Sequence, residues 1–120
     1  MATLKQIILS LSGLAILLTG CTKASTPLTG PTIGASGIRF CLLDKKAKTV
    51  SLAGTFNHWD ITTHFLTKGP DGYWSIELPL PKGRYQYVFV IDQRIWLHDP
   101  KSETVIDDGF GQKNSLLVVE

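Results

Sequence analysis

Cysteine is scarce in this sequence, which has only Cys21 and Cys41 among 120 residues. Two cysteines so far apart cannot form a CxxC redox pair or supply a cysteine-rich zinc site. The three histidines, His58, His64 and His98, are not spaced as metal ligands on one element. We therefore expect no metal and no other cofactor.

An excess of charge of either sign is also missing. Twelve basic and ten acidic residues give a net charge of +2, and removal of residues 1–20 would delete one lysine, Lys5, and leave +1. Proteins that bind nucleic acid usually carry a strong basic patch that neutralises phosphates. The charge balance therefore predicts no nucleic acid partner.

Motifs for catalysis are lacking as well. Glycoside hydrolysis needs two carboxylates across a cleft, roughly 5 to 10 Å apart, whereas the acidic residues here lie mostly in predicted turns. No serine or cysteine occupies a nucleophile elbow, and Cys41 falls within a predicted strand. The sequence predicts a protein that is not an enzyme.

The N-terminus has an apolar run behind one basic residue. Lys5 precedes residues 7–18, IILSLSGLAILL, a layout typical of a secretory signal peptide and short for a membrane span. The run ends in LTGC at Cys21, which resembles the lipobox of bacterial lipoproteins. The resemblance implies a signal peptide over residues 1–20 and a lipidated Cys21. Acyl chains on Cys21 would anchor the protein to a membrane of the bacterial cell envelope.

Both cysteines have an alternative assignment. The apolar run could instead be an ordinary cleaved signal or an uncleaved anchor helix that happens to end in cysteine. Cys41 lies among apolar residues, which is typical of a buried, inert thiol, and a Cys21–Cys41 disulfide is the competing assignment. Each of the assignments of the apolar run predicts that the domain is exported.

Residues 21–36 are predicted to be a flexible linker. They are rich in Thr, Ser, Pro and Gly and show no hydrophobic period. A flexible chain of about 15 such residues has a root-mean-square span on the order of 20 Å. The linker would hold a small domain just off a bilayer.

Short strand-like runs separated by turn residues fill the predicted domain, residues 37–120. Many short strands at this spacing, without a helical period, predict an all-β fold, specifically an immunoglobulin-like antiparallel β-sandwich. The predicted runs are 38–43, 49–53, 65–67, 73–78, 84–91, 95–97 and 115–119.

Period-two alternation assigns the faces of two of these runs. In residues 84–91, one side carries Tyr85, Tyr87, Phe89 and Ile91 and is the predicted core side, which leaves Gln86, Val88 and Val90 facing outward. In residues 73–78, the alternation groups Trp74 with Ile76 and Leu78. We therefore predict that Trp74 belongs to the core.

Two other tryptophans lie in short polar turns. Trp59 ends the segment 54–59, GTFNHW, and Trp96 lies in the segment 95–100, IWLHDP. The face of an indole ring is large and rigid and suits the C–H groups of a pyranose ring, so two such faces can grip consecutive sugars. Each ring could instead pack against the edge of the sandwich.

These segments, with DGYW at 71–74, YQYVFVID at 85–92 and GQKN at 111–114, resemble the glycogen-binding domain of AMP-activated protein kinase β subunits. The same module precedes the catalytic domain of isoamylases and branching enzymes. The resemblance implies an α-glucan ligand such as glycogen, starch or maltodextrin. It also implies that Trp59 and Trp96 stack on glucose and that Asn114, Gln112 and Phe110 contact the sugar from one loop.

Asn114 has both a donor and an acceptor, the pair that fixes vicinal hydroxyls, although a loop asparagine can also satisfy its own backbone. Val88 departs from the family, because the resembling kinase domains have a lysine there that donates to sugar hydroxyls. Only Lys113 or Arg94 could replace that cation.

Two functions therefore stay open at this point. The first is a non-catalytic, membrane-anchored carbohydrate-binding module for α-1,4-glucans. The second is an envelope protein-interaction or structural module that keeps the fold without sugar binding. The second is favoured by Val88, because an apolar outward residue beside two tryptophans resembles a protein-binding hot spot.

Overall fold

The computed structural model describes residues 30–120. The predicted signal peptide, most of the predicted linker and Cys21 lie outside the described residues. Nine strands follow in chain order: β1 (Thr32–Gly34), β2 (Gly37–Leu43), β3 (Val50–Gly54), β4 (Thr67–Lys68), β5 (Tyr73–Leu78), β6 (Gly83–Ile91), β7 (Ile95–Leu97), β8 (Val105–Asp107) and β9 (Lys113–Val119).

The strands form two antiparallel sheets. One has the order β1-β2-β5-β4, and the other has the order β3-β6-β9-β8, with β7 paired to the second half of β6. The two sheets pack as a sandwich, so the predicted all-β, immunoglobulin-like fold is confirmed. In residues 30–120, no helix is long and apolar enough to cross a membrane.

The core between the sheets is built from alternate residues of facing strands. Phe40 of β2 and Tyr87 and Phe89 of β6 are fully buried. The rings of Phe40 and Tyr87 meet edge to face with their centroids 5.0 Å apart, a favoured geometry for aromatic pairs. The predicted core side of β6 is therefore confirmed.

Trp74 lies in this core, as its position in the alternation predicts. It is buried on β5, and its Nε1 donates a hydrogen bond to the Asp44 carbonyl at 2.9 Å. A buried indole needs such a partner for its N–H. Trp74 therefore takes a structural position away from the two turn tryptophans.

The end of the predicted linker is a strand, which corrects the assignment of residues 21–36. Thr32–Gly34 pairs with β2, and a side chain at Gly34 would collide with the Glu77 carboxylate. That carboxylate accepts hydrogen bonds from the Ser36 amide (2.8 Å) and from Nε of Arg39 (2.7 Å). These bonds stabilise the hairpin of β1 and β2. The composition of its first strand had indicated a flexible chain.

Cys41 also differs from its main prediction. It is half-buried on the outer side of β2, between the buried Phe40 and Leu42, and it is disulfide-bonded. The expectation of a buried, inert thiol is therefore wrong, and a disulfide was its competing assignment.

Candidate ligand-binding cleft

A cleft of about 350 Å³ lies on the outer face of the five-stranded sheet. All five residues that the sequence singled out for ligand contact line it, together with a sixth, Asp108, that was not predicted. That these side chains contact a ligand stays a prediction. The lining residues are Trp59, Trp96, Asp108, Phe110, Gln112 and Asn114.

The turn that carries Trp59 is held together by Asn57. Its Oδ1 accepts a hydrogen bond from the Gly54 amide at 3.0 Å, and its Nδ2 donates to the Leu52 carbonyl at 2.9 Å. The same Nδ2 lies 2.9 Å from Nδ1 of His64. Asn57 therefore hydrogen-bonds the backbone of its own turn and of the preceding strand.

The backbone of this turn places the rings of Phe56 and Trp59 on opposite sides of the sheet. Phe56 packs toward the core, with its ring centroid 6.2 Å from that of Phe40. His58 and Trp59 then have φ of 57° and 60°, left-handed values that cost a non-glycine residue on the order of 1 to 3 kcal/mol each. The Trp59 amide donates to the Gly54 carbonyl at 2.9 Å, which closes the turn.

A second apolar cluster lies beneath Trp59 on the outer face of the sheet. Ala53, Val88 and Val90 are fully buried there, and Trp59 and Ile61 pack over them. Val88 points outward, as the alternation predicts, but it is not exposed. The inference of a protein-binding hot spot from an exposed Val88 is therefore wrong.

The strand that carries Trp96 begins after a tight turn. Asp92 and Gln93 both have positive φ, 53° and 59°, as in the type I′ turns that join antiparallel strands. The Asp92 carboxylate accepts hydrogen bonds from the amides of Lys48 (2.7 Å) and Thr49 (3.1 Å), and these bonds lower its pKa. The turn is thereby tied to the start of β3.

Trp59 and Trp96 are neighbours in the cleft, and their rings are stacked. Trp96 is opposite Val90 in the β6–β7 register, and 40% of its surface is exposed. The two ring centroids are 6.5 Å apart, and the ring planes are 24° from parallel. Both rings therefore lie on the same side of the sandwich.

Asn114 forms part of the cleft floor. It is only 6% exposed, and its Nδ2 donates a hydrogen bond to Oε1 of Gln86 at 3.2 Å. That bond uses one of the two amide protons, so the side chain retains a donor and an acceptor.

A buried polar network connects the strand of Asn114 to the turn after Trp96. The Asp99 amide donates to Oγ of Ser115 (2.8 Å), and the Asp99 carboxylate accepts from Oη of Tyr87 (2.6 Å) and the Lys101 amide (2.9 Å). Asp99 thus hydrogen-bonds the backbone of its own turn through Lys101. Burial raises the pKa of Asp99, and burial together with the Asp99 charge raises the pKa of Tyr87.

The loop between β8 and β9 presents Phe110 at its tip. The Asp108 carboxylate accepts hydrogen bonds from the amides of Phe110 (2.7 Å) and Gln112 (3.1 Å). Gly109 and Gly111 flank Phe110 at φ of 86° and 94°, which glycine adopts at little cost. Phe110 is 93% exposed, so its ring projects over the cleft edge into solvent.

Neither cation that could replace the family's lysine lines the cleft. Lys113 immediately precedes Asn114 on β9, so its side chain points to the opposite side of the strand, where it lies across from Asp107. Arg94 is exposed in the β6–β7 turn and is not among the lining residues. The cleft offers aromatic faces, amides and one carboxylate.

Comparison with known proteins gives one family and several relatives. Residues 42–120 match a family model described as the glycogen recognition site of AMP-activated protein kinase. The 5'-AMP-activated protein kinase subunit beta-1 of Sus scrofa is 38% identical over 73 residues, which are 61% of this chain and 56% of the subunit. A 1,4-alpha-glucan branching enzyme GlgB of Shewanella baltica is 43% identical over 49 residues, 40% of this chain and 7% of the enzyme. The chain thus spans about half of the kinase subunit and a small part of the enzyme.

Proposed function

This chain belongs to the family described as the glycogen recognition site of AMP-activated protein kinase, and on that premise we propose that it is a non-catalytic module that binds α-1,4-linked glucans such as glycogen, starch or maltodextrin. The observation that carries the proposal is the pair of neighbouring indole rings at Trp59 and Trp96, which line one cleft 6.5 Å apart.

Stacking and amide hydrogen bonds would share the recognition. Consecutive glucose rings of a curved glucan stack on the two indoles, whose 24° tilt follows a gentle bend. Asn114 and Gln112 orient hydroxyl groups, and Phe110 covers the sugar from the loop tip. Two stacks and a few solvent-exposed hydrogen bonds give only about 4 to 8 kcal/mol, which corresponds to micromolar to millimolar affinity.

Calorimetric titration with maltoheptaose tests the proposal. We expect the purified protein to bind it, with a change in tryptophan fluorescence, and Trp59→Ala and Trp96→Ala each to weaken binding more than about tenfold. Trp74→Phe is the matched control, because Trp74 lies in the core away from the cleft. Absence of heat and fluorescence change with the unaltered protein would contradict glucan recognition.

Export to the cell envelope is the second part of the proposal. The apolar run at 7–18 and the LTGC sequence ending at Cys21 support it. The disulfide at Cys41 supports export, because disulfides persist in oxidising compartments, but within this chain it is an alternative to lipidation of Cys21, the one other cysteine of the sequence. The glucan would then be periplasmic, environmental or part of a surface polymer.

Lipid attachment to Cys21 would hold the module on a membrane, and it excludes a Cys21–Cys41 disulfide because the Cys21 sulfur would be consumed by the thioether. Intact mass measurement of the protein extracted from bacterial membranes distinguishes the two. A mass increased by acyl chains, with residues 1–20 removed, supports the anchor. An unmodified Cys21 contradicts it.

A further inference from the structure

Asp108 contributes the one ionisable side chain among the six residues that line the cleft. We infer that Asp108 makes this site selective for uncharged glucans over the same glucans carrying phosphate or carboxylate groups. The inference rests on the proposed function, since it concerns the ligand class of the same cleft.

The two oxygens of the Asp108 carboxylate have different roles. Oδ1 builds the loop, because it accepts hydrogen bonds from the amides of Phe110 and Gln112, and the Asp108 amide donates back to the Gln112 carbonyl at 2.9 Å. Within residues 30–120, Oδ2 accepts no hydrogen bond. It is therefore available to accept hydrogen bonds from sugar hydroxyls, which an uncharged glucan supplies in abundance.

Among the described residues, 30–120, none of those that line the cleft is a cation that could balance this charge. Lys113 points to the opposite side of β9 and lies across from Asp107 in the register. Val88 is buried under Trp59 at the position where the resemblance implies a lysine. An anionic group on the ligand would therefore approach a carboxylate without a compensating positive charge.

Repulsion of this kind is large enough to measure. Two like charges about 5 Å apart near a protein surface weaken binding by about tenfold or more at low ionic strength, and the effect decreases as salt is added. A phosphate or carboxylate on a glucose unit also cannot donate the hydrogen bond that a hydroxyl gives to Oδ2.

Asp108→Asn isolates the charge. Asparagine retains an oxygen that can accept the two loop amides, while the negative charge is removed. Asp107→Asn is the matched control. Asp107 accepts a hydrogen bond from the Gly109 amide through its Oδ1 at 2.8 Å, so it has the same kind of loop bond, but it does not line the cleft.

The test compares maltoheptaose with maltoheptaose phosphorylated at C6, titrated by calorimetry in a phosphate-free buffer of about 20 mM salt. The unaltered protein should bind the phosphorylated sugar about tenfold more weakly than the neutral one. In Asp108→Asn the two affinities should agree within about twofold, and Asp107→Asn should keep most of the difference. Equal affinities in the unaltered protein, or undiminished discrimination in Asp108→Asn, would overturn the inference.

A salt series on the unaltered protein tests the inference without any variant that could misfold. Raising salt to about 500 mM should reduce the discrimination to less than about threefold, and discrimination that does not change with salt would overturn the inference. Failure of the neutral sugar to bind at all would instead contradict the proposed function and remove the premise. The two failures are thus distinguishable.

Discussion

Val88 and Phe89 are neighbours on β6, and both are fully buried, yet they are covered by different parts of the molecule. Phe89 points into the core between the two sheets. Val88 points to the outer face, where Trp59 and Ile61 cover it. One strand therefore supports the fold on one side and the candidate ligand platform on the other.

The two faces of this sheet are covered by different kinds of structure. The inner face is covered by a whole sheet, whereas the outer face under Trp59 is covered by a turn. Burial of Val88 and Val90 therefore fixes the indole that we propose to contact sugar.

Phe89→Ala should have the largest effect on stability and the least on binding. Removal of a fully buried phenyl ring from a core costs about 3 to 5 kcal/mol, and the cleft is on the other side of the sheet. Urea denaturation measures the loss. The maltoheptaose Kd of the folded fraction should stay within about twofold, and a larger change would mean that the two faces are coupled.

Asn57→Ala should reduce both quantities. It deletes the bonds to the Gly54 amide and the Leu52 carbonyl, and partly buried groups left unsatisfied cost about 2 to 3 kcal/mol in total. Because the turn also places Trp59, affinity should fall about tenfold. The control is Thr62→Ala at the exposed edge of the turn, which should change stability by less than about 0.5 kcal/mol.

Val88→Ala sharpens the comparison with Phe89. Loss of two buried carbon atoms costs about 1 to 2 kcal/mol, and the loosened contact under Trp59 should weaken maltoheptaose binding about threefold. Val118→Ala is the control, because Val118 is partly exposed and does not line the cleft. Unchanged affinity in Val88→Ala would contradict the positioning role.

The smallest predicted effect on stability is a loss at low pH, and it arises at Asp92 in the turn before Trp96. The amides of Lys48 and Thr49 lower the pKa of Asp92 below its ordinary value of 3.8. Its contribution to stability is therefore present above that value and is lost as the pH falls through the lowered pKa. Asp92→Asn should flatten this part of the acid denaturation curve, measured by circular dichroism, because asparagine keeps an acceptor and tolerates positive φ.

Asp99 is a buried carboxyl whose pKa is shifted in the opposite direction from that of Asp92. Its raised pKa favours the protonated form in the folded state, so its contribution to folding stability is present below its ordinary pKa and is lost as the pH rises through the raised value.

For Asp92, an acid denaturation curve that is steeper in Asp92→Asn than in the unaltered protein would contradict the direction of the pKa shift.

Several strands could be predicted from apolar runs that lie between turn residues. The bounds of β5 and β7 coincide with the predicted runs, and the core side of β6 was predicted correctly. The three-residue strands β1 and β8 were missed. Each pairs with the next strand along the chain, but β1 lies in a segment rich in Thr, Ser, Pro and Gly and β8 runs into Asp-Asp-Gly, and both compositions are typical of loops.

The cleft could be predicted in part because its residues lie in recognisable turns. Trp59, Trp96 and the loop 110–114 were singled out from motif resemblance and residue chemistry. The burial of Val88 could not be predicted, because it depends on the turn at residues 58 and 59 folding back over β6. Asp108 was missed because its sequence, Asp-Asp-Gly, is typical of a solvated loop.

The indole N–H resonances of the three tryptophans, followed by nuclear magnetic resonance during a maltoheptaose titration, test the central claim most directly. The signals of Trp59 and Trp96 should shift together with one Kd, while the Trp74 signal, whose N–H donates to the Asp44 carbonyl in the core, should stay in place. A titration that leaves both Trp59 and Trp96 unshifted, or that moves only Trp74, would contradict a sugar site built on the two turn tryptophans.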